Sequence, residues 1–370
     1  MQSTPEEEPI DVSVLIPVLD EGATIEATVA AMTAQRFPGR VEFLFADGDS
    51  GDDTRERLEA LARRDPRIRV LRNPLRGTAS GLNVCLRAAR GEFVARMDAH
   101  TYYPDDYLAL GVERLRRGGT TWVAGPQAPE GRGTISEAVT IALASPLGRG
   151  ASRKWGDEAA PDAEFELDTG VFCGVWRRAD VLRHGGWDEG WPRNQDSEMA
   201  ARFLRAGERI ICLPAMSARY LPRNTLRGLW RQYRGYGTYR ARTALRHPTS
   251  LRRSALLPPL LVLDVAAAVA APVRPLRRLA QLGAGAYLAV VLTAVARALG
   301  ARRSRSALAV GLVLPTMHLA HGAGFWAGAR RWGLPWRALL VAAGLPARPD
   351  ERGPYDGGVS AQSLTAADEA

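Results

Sequence analysis

Val41-Glu42-Phe43-Leu44-Phe45-Ala46-Asp47-Gly48-Asp49-Ser50-Gly51-Asp52-Asp53 is an apolar run that empties into a cluster of acids. Its first half has the length and texture of a strand buried on both faces. Gly48 and Gly51 then let the backbone turn tightly while the acids project. Working outward, Asp11 to Pro17 (DVSVLIP) reads as an earlier strand, with a helix over Thr24 to Gln35 between the two. Downstream, Thr54 to Arg64 reads as a helix, Ile68 to Leu71 as a short strand and Thr78 to Ala89 as a helix. Glu92 to Met97 (EFVARM) follows as a strand and Asp105 to Arg117 as a helix. Strands alternating with helices of this length predict βαβ units, hence an α/β domain with a mostly parallel sheet flanked by helices. No internal repeat is visible.

In open α/β sheets, ligands bind beyond the carboxyl ends of the strands. The second strand ends in Asp47 and the fourth runs into Asp98-Ala99-His100, so acids are expected in one cleft. Taken alone, Asp47 to Asp53 also reads as an acidic turn with a helix cap near Asp53. It is the pair of strand ends that carries the weight. After the first strand stands Pro17-Val18-Leu19-Asp20-Glu21-Gly22, not G-x-G-x-x-G, which counts against a dinucleotide-binding oxidoreductase. No G-x-x-x-x-G-K-[ST] occurs, which excludes a P-loop ATPase.

The 370 residues are 46% hydrophobic and 24% charged, enough for a true core and room for two units. Cys85, Cys173 and Cys212 are too scattered for a disulfide framework or a C-x-x-C metal knuckle. Residues 1–10 are polar and acidic and are expected to be a disordered tail with no signal peptide, leaving the first domain in the cytoplasm. The net charge is +9, almost all of it Arg, since Lys154 is the only Lys. Ten Arg and no acid lie between Arg219 and Arg253, and an apolar stretch follows at once. Basic residues abutting apolar segments read as a membrane-surface collar more than as a DNA face. Ser254 to Val273, Ala280 to Ala296 and Ser306 to Ala329 are each near the roughly 20 residues needed to span a bilayer. They are rich in Ala and Gly, and a soluble helical bundle is the other reading. Arg flanks every segment, so no inside/outside asymmetry emerges and one segment is open to lying in the interface. The tail from Pro346 reads as disordered.

With the chain read this far, its motifs resemble those of family 2 glycosyltransferases of GT-A fold, especially the membrane-anchored succinoglycan type. Val14-Leu15-Ile16-Pro17 with Glu21, Asp47-Gly48-x-Ser50 and Asp98-x-His100 match the donor half. Phe172-x-Gly174 with Arg177-Arg178, Gly185-Gly186-Trp187-Asp188-Glu189 and Gln195-Asp196-Ser197-Glu198 are similar to the acceptor half. The resemblance spans about Val12 to Tyr239. It implies that Pro17, Glu21, Asp47, Asp49, Asn83 and Asp98 bind the sugar-nucleotide donor, and that Asp196 is the general base. It places Arg177, Arg178, Trp187, Asp188, Gln232 and Arg234 on the acceptor or diphosphate side. Asp98 matches the first acid of the family's D-x-D, and His100 stands where the second is usual. A divalent cation, Mn²⁺ or Mg²⁺, is therefore expected on Asp98 and His100, with imidazole favouring Mn²⁺. Gln195 replaces the acid that usually precedes the base. Arg231-Gln232-Tyr233-Arg234-Gly235 resembles [QR]-x-x-R-W with Gly235 in place of Trp, which points to transfer of a single sugar. Taken alone, Asp196 also reads as a helix cap, and Arg227, Arg231 and Arg234 as one face of an amphipathic interfacial helix. His318 and His321 read as packed helix residues rather than metal ligands.

The expected organisation is thus a GT-A domain over 11–220, an Arg-rich membrane-proximal helix over 221–253, two or three membrane or interfacial helices over 254–345, and a disordered tail over 346–370. The implied activity is inverting transfer from a nucleotide-diphosphate sugar, expected to be a UDP-sugar, to a hydroxyl of a lipid-linked saccharide. The expected location is the inner membrane, with the domain facing the cytoplasm. A polyprenyl-phosphate glycosyltransferase is the near alternative. A non-catalytic membrane or polyanion-binding protein is the distant one, and the gathered acids disfavour it. Membrane lipid is an expected partner and nucleic acid is not.

Overall fold

The computed structural model describes residues 9–150, 152–155 and 163–348, so residues 1–8 and 349–370, including most of both expected tails, lie outside it. In chain order the first elements are β1 (Val12–Val18), α1 (Ile25–Thr33), β2 (Val41–Asp47), α2 (Thr54–Ala62), β3 (Ile68–Arg72), α3 (Thr78–Ala88), β4 (Phe93–Arg96), β5 (Thr101–Tyr102), α4 (Tyr107–Arg116), β6 (Trp122–Ala124) and β7 (Gln127–Pro129). Then come α5 (Thr134–Leu143), α6 (Pro146–Arg149), β8 (Phe165–Leu167), β9 (Gly174–Arg177), α7 (Arg178–Arg183), α8 (Gln195–Arg205), β10 (Ile210–Cys212) and β11 (Ala218–Tyr220). The chain closes with α9 (Leu226–Arg246), α10 (Leu257–Ala270), α11 (Arg274–Ala301), α12 (Arg305–Trp332) and α13 (Trp336–Ala343). Among the described residues two compact units result, one of 9–127 and 163–219, the other of 128–155 and 220–348. The expected boundary near 220 is therefore joined by an earlier excursion, 128–155, that belongs with the C-terminal helices. No periodicity had marked it.

The first unit is built on an eight-stranded sheet in the order β3-β2-β1-β4-β9-β6-β10-β8. β3, β2, β1 and β4 run parallel, as alternating strands and helices require. β9 lies antiparallel between β4 and β6, and β8 antiparallel beside β10, so the sheet is mixed. Leu15, Ile16, Phe43, Phe45 and Phe93 are fully buried, which is why these strands read as continuous apolar runs and not as alternations. The register pairs Val18 with Asp47 and Leu15 with Arg96, so β1, β2 and β4 deliver their carboxyl ends to one edge.

In the second unit α9 and α12 approach until their backbones touch. A Cβ at Gly237 would stand 1.9 Å from the His321 carbonyl oxygen, and one at Gly324 would stand 2.0 Å from that of Arg234. Glycine is therefore required at both. α9 spends its apolar face, Leu229, Ala241 and Ala244, inside this unit, while Arg227, Arg231 and Arg234 remain exposed. Arg253–Ala270, Arg274–Ala301 and Arg305–Trp332 are each long and apolar enough to cross a membrane. They differ in how they are covered. The third is 50% buried within the protein, the first two only 6% and 11%. Leu257, Leu260, Leu279, Leu282 and Leu292 are left exposed on α10 and α11, an apolar surface that water does not tolerate and lipid does. His318 is packed as expected. Its Nε2 donates to the Leu147 carbonyl at 2.9 Å and its Nδ1 accepts from the Tyr287 hydroxyl at 2.8 Å.

Candidate active site

Asp47 closes β2 and is fully buried. Its Oδ1 accepts the Ser50 hydroxyl at 2.6 Å, while its Oδ2 is buried with no hydrogen-bond partner and has Arg55 Nη1 at 3.8 Å. A buried carboxylate oxygen left open costs stability, so its persistence points to something that fills it. The loops after β1 and β2 are tied together around it. The Gly51 amide donates to Asp20 Oδ1 at 2.7 Å, the Glu21 amide to Thr54 Oγ1 at 2.8 Å and the Gly22 amide to Asp52 Oδ2 at 3.0 Å. Asp20 and Asp49 sit at φ 54° and 51°, the left-handed region that Asp tolerates. Asp49 is held by the Arg72 guanidinium at 2.9 and 3.2 Å, which keeps its carboxyl below the usual carboxylate range. Pro17 lies in β1 beside Ala46 and packs on the start of α3, where a Cβ at Gly81 would come within 3.1 Å of it.

Asp98 follows β4. Arg96, two residues earlier and on the same face of the chain, donates Nε and Nη2 to its two oxygens at 2.8 and 2.9 Å. The Asp98 amide donates to the Tyr103 hydroxyl at 2.8 Å. Arg96 is 2% exposed, and its Nη1 is buried with no hydrogen-bond partner. Burial opposes its charge, but Asp98, and behind it Asp196, outweigh burial and raise its pKa above the ordinary guanidinium value. Asp196 thus lies within electrostatic reach of the Asp98 pair. It is the second residue of α8, half-buried, and not the cap: Asn194, at φ 60°, holds that position. His100 is 65% exposed, with Nδ1 3.8 Å from Glu21 Oε1, and this imidazole lowers the Glu21 pKa. Among the described residues no group of three or more His, Cys, Asp or Glu could hold a metal ion by itself.

Several expected site residues are committed elsewhere. Asn83 donates to the Trp187 carbonyl at 2.7 Å and to Glu189 Oε1 at 2.9 Å, and accepts the Trp187 amide at 3.0 Å. It fixes the 185–189 loop. Trp187 is buried edge-on against Trp176 as core, and Asp188 accepts the Gly190 amide at 2.8 Å. Arg177 pairs in register with Phe93, at the amino end of β4, and donates to the Leu115 carbonyl at 2.9 Å; the Arg178 amide bonds Glu92. Both therefore belong to the sheet edge opposite Asp98. Gln232 and Arg234 sit on α9 in the helical unit, where Gln232 Nε2 donates to the Tyr236 hydroxyl at 2.9 Å. Sequence reading missed Arg96, although an Arg inside an apolar strand two residues before an acid signals a buried pair. It also missed that Glu198 and Arg202 pair in the core of α8, with Arg202 Nη2 reaching the Gly186 carbonyl at 2.7 Å.

The glycosyl transferase family 2 profile matches residues 13–183. The succinoglycan biosynthesis protein ExoA of Rhizobium meliloti is 33% identical over 316 residues, 85% of this chain and 93% of that one. The chain belongs to glycosyltransferase family 2 and is a glycosyltransferase of the ExoA-like type. The E. coli UDP-Glc:alpha-D-GlcNAc-diphosphoundecaprenol beta-1,3-glucosyltransferase WfgD is 28% identical over 31% of this chain and 44% of its own. In structure the chain resembles the mannosyltransferase PcManGT of Pyrobaculum calidifontis, solved with GDP-Man and Mn²⁺, at TM-score 0.50 and 21% identity over 90% and 91% of the two chains. The fold is accordingly of GT-A type, followed by C-terminal apolar helices.

Proposed function

We propose that this enzyme transfers one sugar from a UDP-sugar, with inversion, to a hydroxyl of a lipid-linked saccharide at the inner membrane, its α/β unit facing the cytoplasm. The observation that carries the reading is the edge where β1, β2 and β4 end. It gathers a buried acid with one open oxygen, Asp47, and a second acid, Asp98, whose buried Arg96 lies in the field of a third, Asp196. Asp47 Oδ1 is taken by Ser50, so Oδ2 can accept one N–H. Uracil offers one ring N–H, whereas guanine offers two adjacent ones and fits a carboxylate with both oxygens free. This supports a uridine nucleotide. Asp98 keeps lone pairs beyond those used by Arg96, and His100 is exposed, so one carboxylate and one imidazole fit a divalent cation, Mn²⁺ better than Mg²⁺. Bound there with the donor, such a cation would neutralise charge on the departing diphosphate.

Asp196 then takes the proton of the acceptor hydroxyl as the hydroxyl attacks the anomeric carbon from the side opposite the diphosphate. One displacement with one base inverts that centre. The lipid-linked acceptor is supported by the apolar helices and by the acceptor in the E. coli relative's name. Arg234 and Gln232 of α9 are assigned to the acceptor side on the motif alone. Asp196→Asn is the test. It keeps shape and removes the proton acceptor, so turnover should fall about 10²–10⁴-fold, roughly 3–5 kcal/mol, with UDP affinity unchanged. Turnover within about tenfold of wild type would reject the base, and would favour a lipid-phosphate acceptor, which is already ionised.

A further inference from the structure

Gly170 and Arg202 hold α8 to the rest of the α/β unit, and both bear on where Asp196 stands. At the start of the helix Gly170 lies directly on the first turn. A Cβ there would come within 2.3 Å of the Asp196 carbonyl oxygen and 3.0 Å of the Ala200 side chain, so the contact requires glycine. Further along, Arg202 is 8% exposed and commits its whole fork. Its Nε and Nη2 donate to the Glu198 carboxylate at 3.0 and 2.9 Å, Nη2 also donates to the Gly186 carbonyl at 2.7 Å, and Nη1 donates to the His184 carbonyl. The 184–187 turn is fastened in its own right. Gly186 sits at φ 66°, where a Cβ would come within 2.6 Å of Asn83 Oδ1, and Asn83 grips both the amide and the carbonyl of Trp187. α3, which carries Asn83, packs through Gly81 against Pro17 and Ala46, the residue before Asp47. A continuous line of short contacts therefore runs from the strand ends through α3, the turn and Arg202 to the helix of Asp196.

From these contacts we infer that Arg202 and Gly170 are positioning residues, which fix Asp196 at a set distance from the strand ends proposed to hold the donor. The inference rests on the proposed assignment of Asp196 as the base. A base that acts in one displacement has to reach the acceptor hydroxyl at hydrogen-bond distance while the donor is held at the other end. A misplacement of about 1 Å costs up to about 10²-fold in rate. Asp196 stands in the first turn, the part of a helix that frays, so its place depends on what presses on that turn and on what fixes the axis. Gly170 sets how deep the first turn lies. Arg202 keeps the helix from rotating or sliding, because two carbonyls and a carboxylate hold one planar group. Neither residue has to touch substrate. Asn83 and Trp187 form the far end of the same brace.

The experiment is a double-mutant cycle on the full-length protein in detergent. Turnover is read as UDP released, with an extract of membrane lipids present, from whichever UDP-sugar of a panel wild type consumes. UDP affinity is read by calorimetry. Gly170→Ala and Arg202→Lys should each lower kcat about tenfold to hundredfold, with donor KM and UDP affinity unchanged. Gly170→Ala adds one methyl against the Asp196 carbonyl. Arg202→Lys keeps the charge beside Glu198 and loses the fork, and it carries the test if Gly170→Ala does not fold. Combined with Asp196→Asn, either change should leave the remaining turnover within about twofold, because a base that is absent cannot be misplaced. A merely structural role would multiply the two losses. Wild-type kcat in either folded variant, losses that multiply with Asp196→Asn, or a fall in UDP affinity that matches the fall in kcat overturns the inference. Asp196→Asn with turnover near wild type, or a wild type that consumes no UDP-sugar, overturns the proposed reading of the site itself, a different result from the other three.

Discussion

β2 carries a buried acid at each end, and the two are treated in opposite ways. Glu42, near its start, is 1% exposed and satisfied on both oxygens: by the Ser13 hydroxyl at 2.7 Å, the Arg90 amide at 2.8 Å and Arg69 Nη1 at 2.9 Å. Asp47, at its end, is as deeply buried and has one oxygen filled and one open. A buried charge with every partner in place maintains the fold. A buried acid with one oxygen unpartnered, at the edge where the strands end, is the group proposed above to meet the donor.

The sharpest way to break this comparison is to alter both acids. Asp47→Asn should weaken UDP binding by about 1–3 kcal/mol, roughly tenfold to hundredfold, because one hydrogen bond to a charged acceptor is lost. Melting should barely move, which calorimetry and nucleotide titration on one sample would show together. Glu42→Ala should do the reverse. It leaves the buried Ser13 hydroxyl proton without its acceptor and the Arg90 amide with only a longer 3.2 Å bond to Ser13 Oγ, at a cost of about 1–3 kcal/mol of stability, while donor KM stays at the wild-type value. A Glu42→Ala protein with normal melting and poor donor binding would erase the distinction.

A smaller effect comes from pH. Burial tends to raise the Glu42 pKa, but Ser13, the Arg90 amide and Arg69 outweigh it and hold the value below 4.5. A depressed folded-state pKa means that the stabilisation is present in full above the unfolded value. It is lost as pH falls below about 4.5 through the folded value. Thermal melts from pH 6 down to pH 3 should show wild type losing stability more steeply than Glu42→Gln, and parallel curves would remove the claim. The mildest change is His100→Asp, which should stay active and shift the preferred cation from Mn²⁺ toward Mg²⁺, an oxygen ligand replacing nitrogen. Rates unaltered with both metals would place His100 outside the cation's shell.

The helical unit teaches the same lesson through covering instead of charge. Three apolar segments of similar composition look alike in the sequence, yet α12 is half enclosed by its own chain and α10 and α11 are not. A one-dimensional reading measures hydropathy and length. It does not register that Gly237 and Gly324 let α9 lie directly on α12, nor that 128–155 contributes a helix to this unit.

The sequence by itself determined the alternation of strands and helices, the order of motifs and the acids at strand ends. Apolar runs, glycine turns and helix periodicity are local, and local physics is written residue by residue. Asp47 and Asp98 were legible as acids following strands for that reason, whereas Asp196 was singled out by its motif alone and its local reading as a helix cap gives way to Asn194. The tertiary structure alone decided which charges were already answered. Asn83, Trp187, Arg177 and Arg178 are in family order yet turned to packing or to the far edge of the sheet, and Arg96, which no motif flagged, holds Asp98. Whether a charged side chain is a tool or a strut depends on the groups that reach it from distant parts of the chain. Neither hydropathy nor spacing encodes those distances.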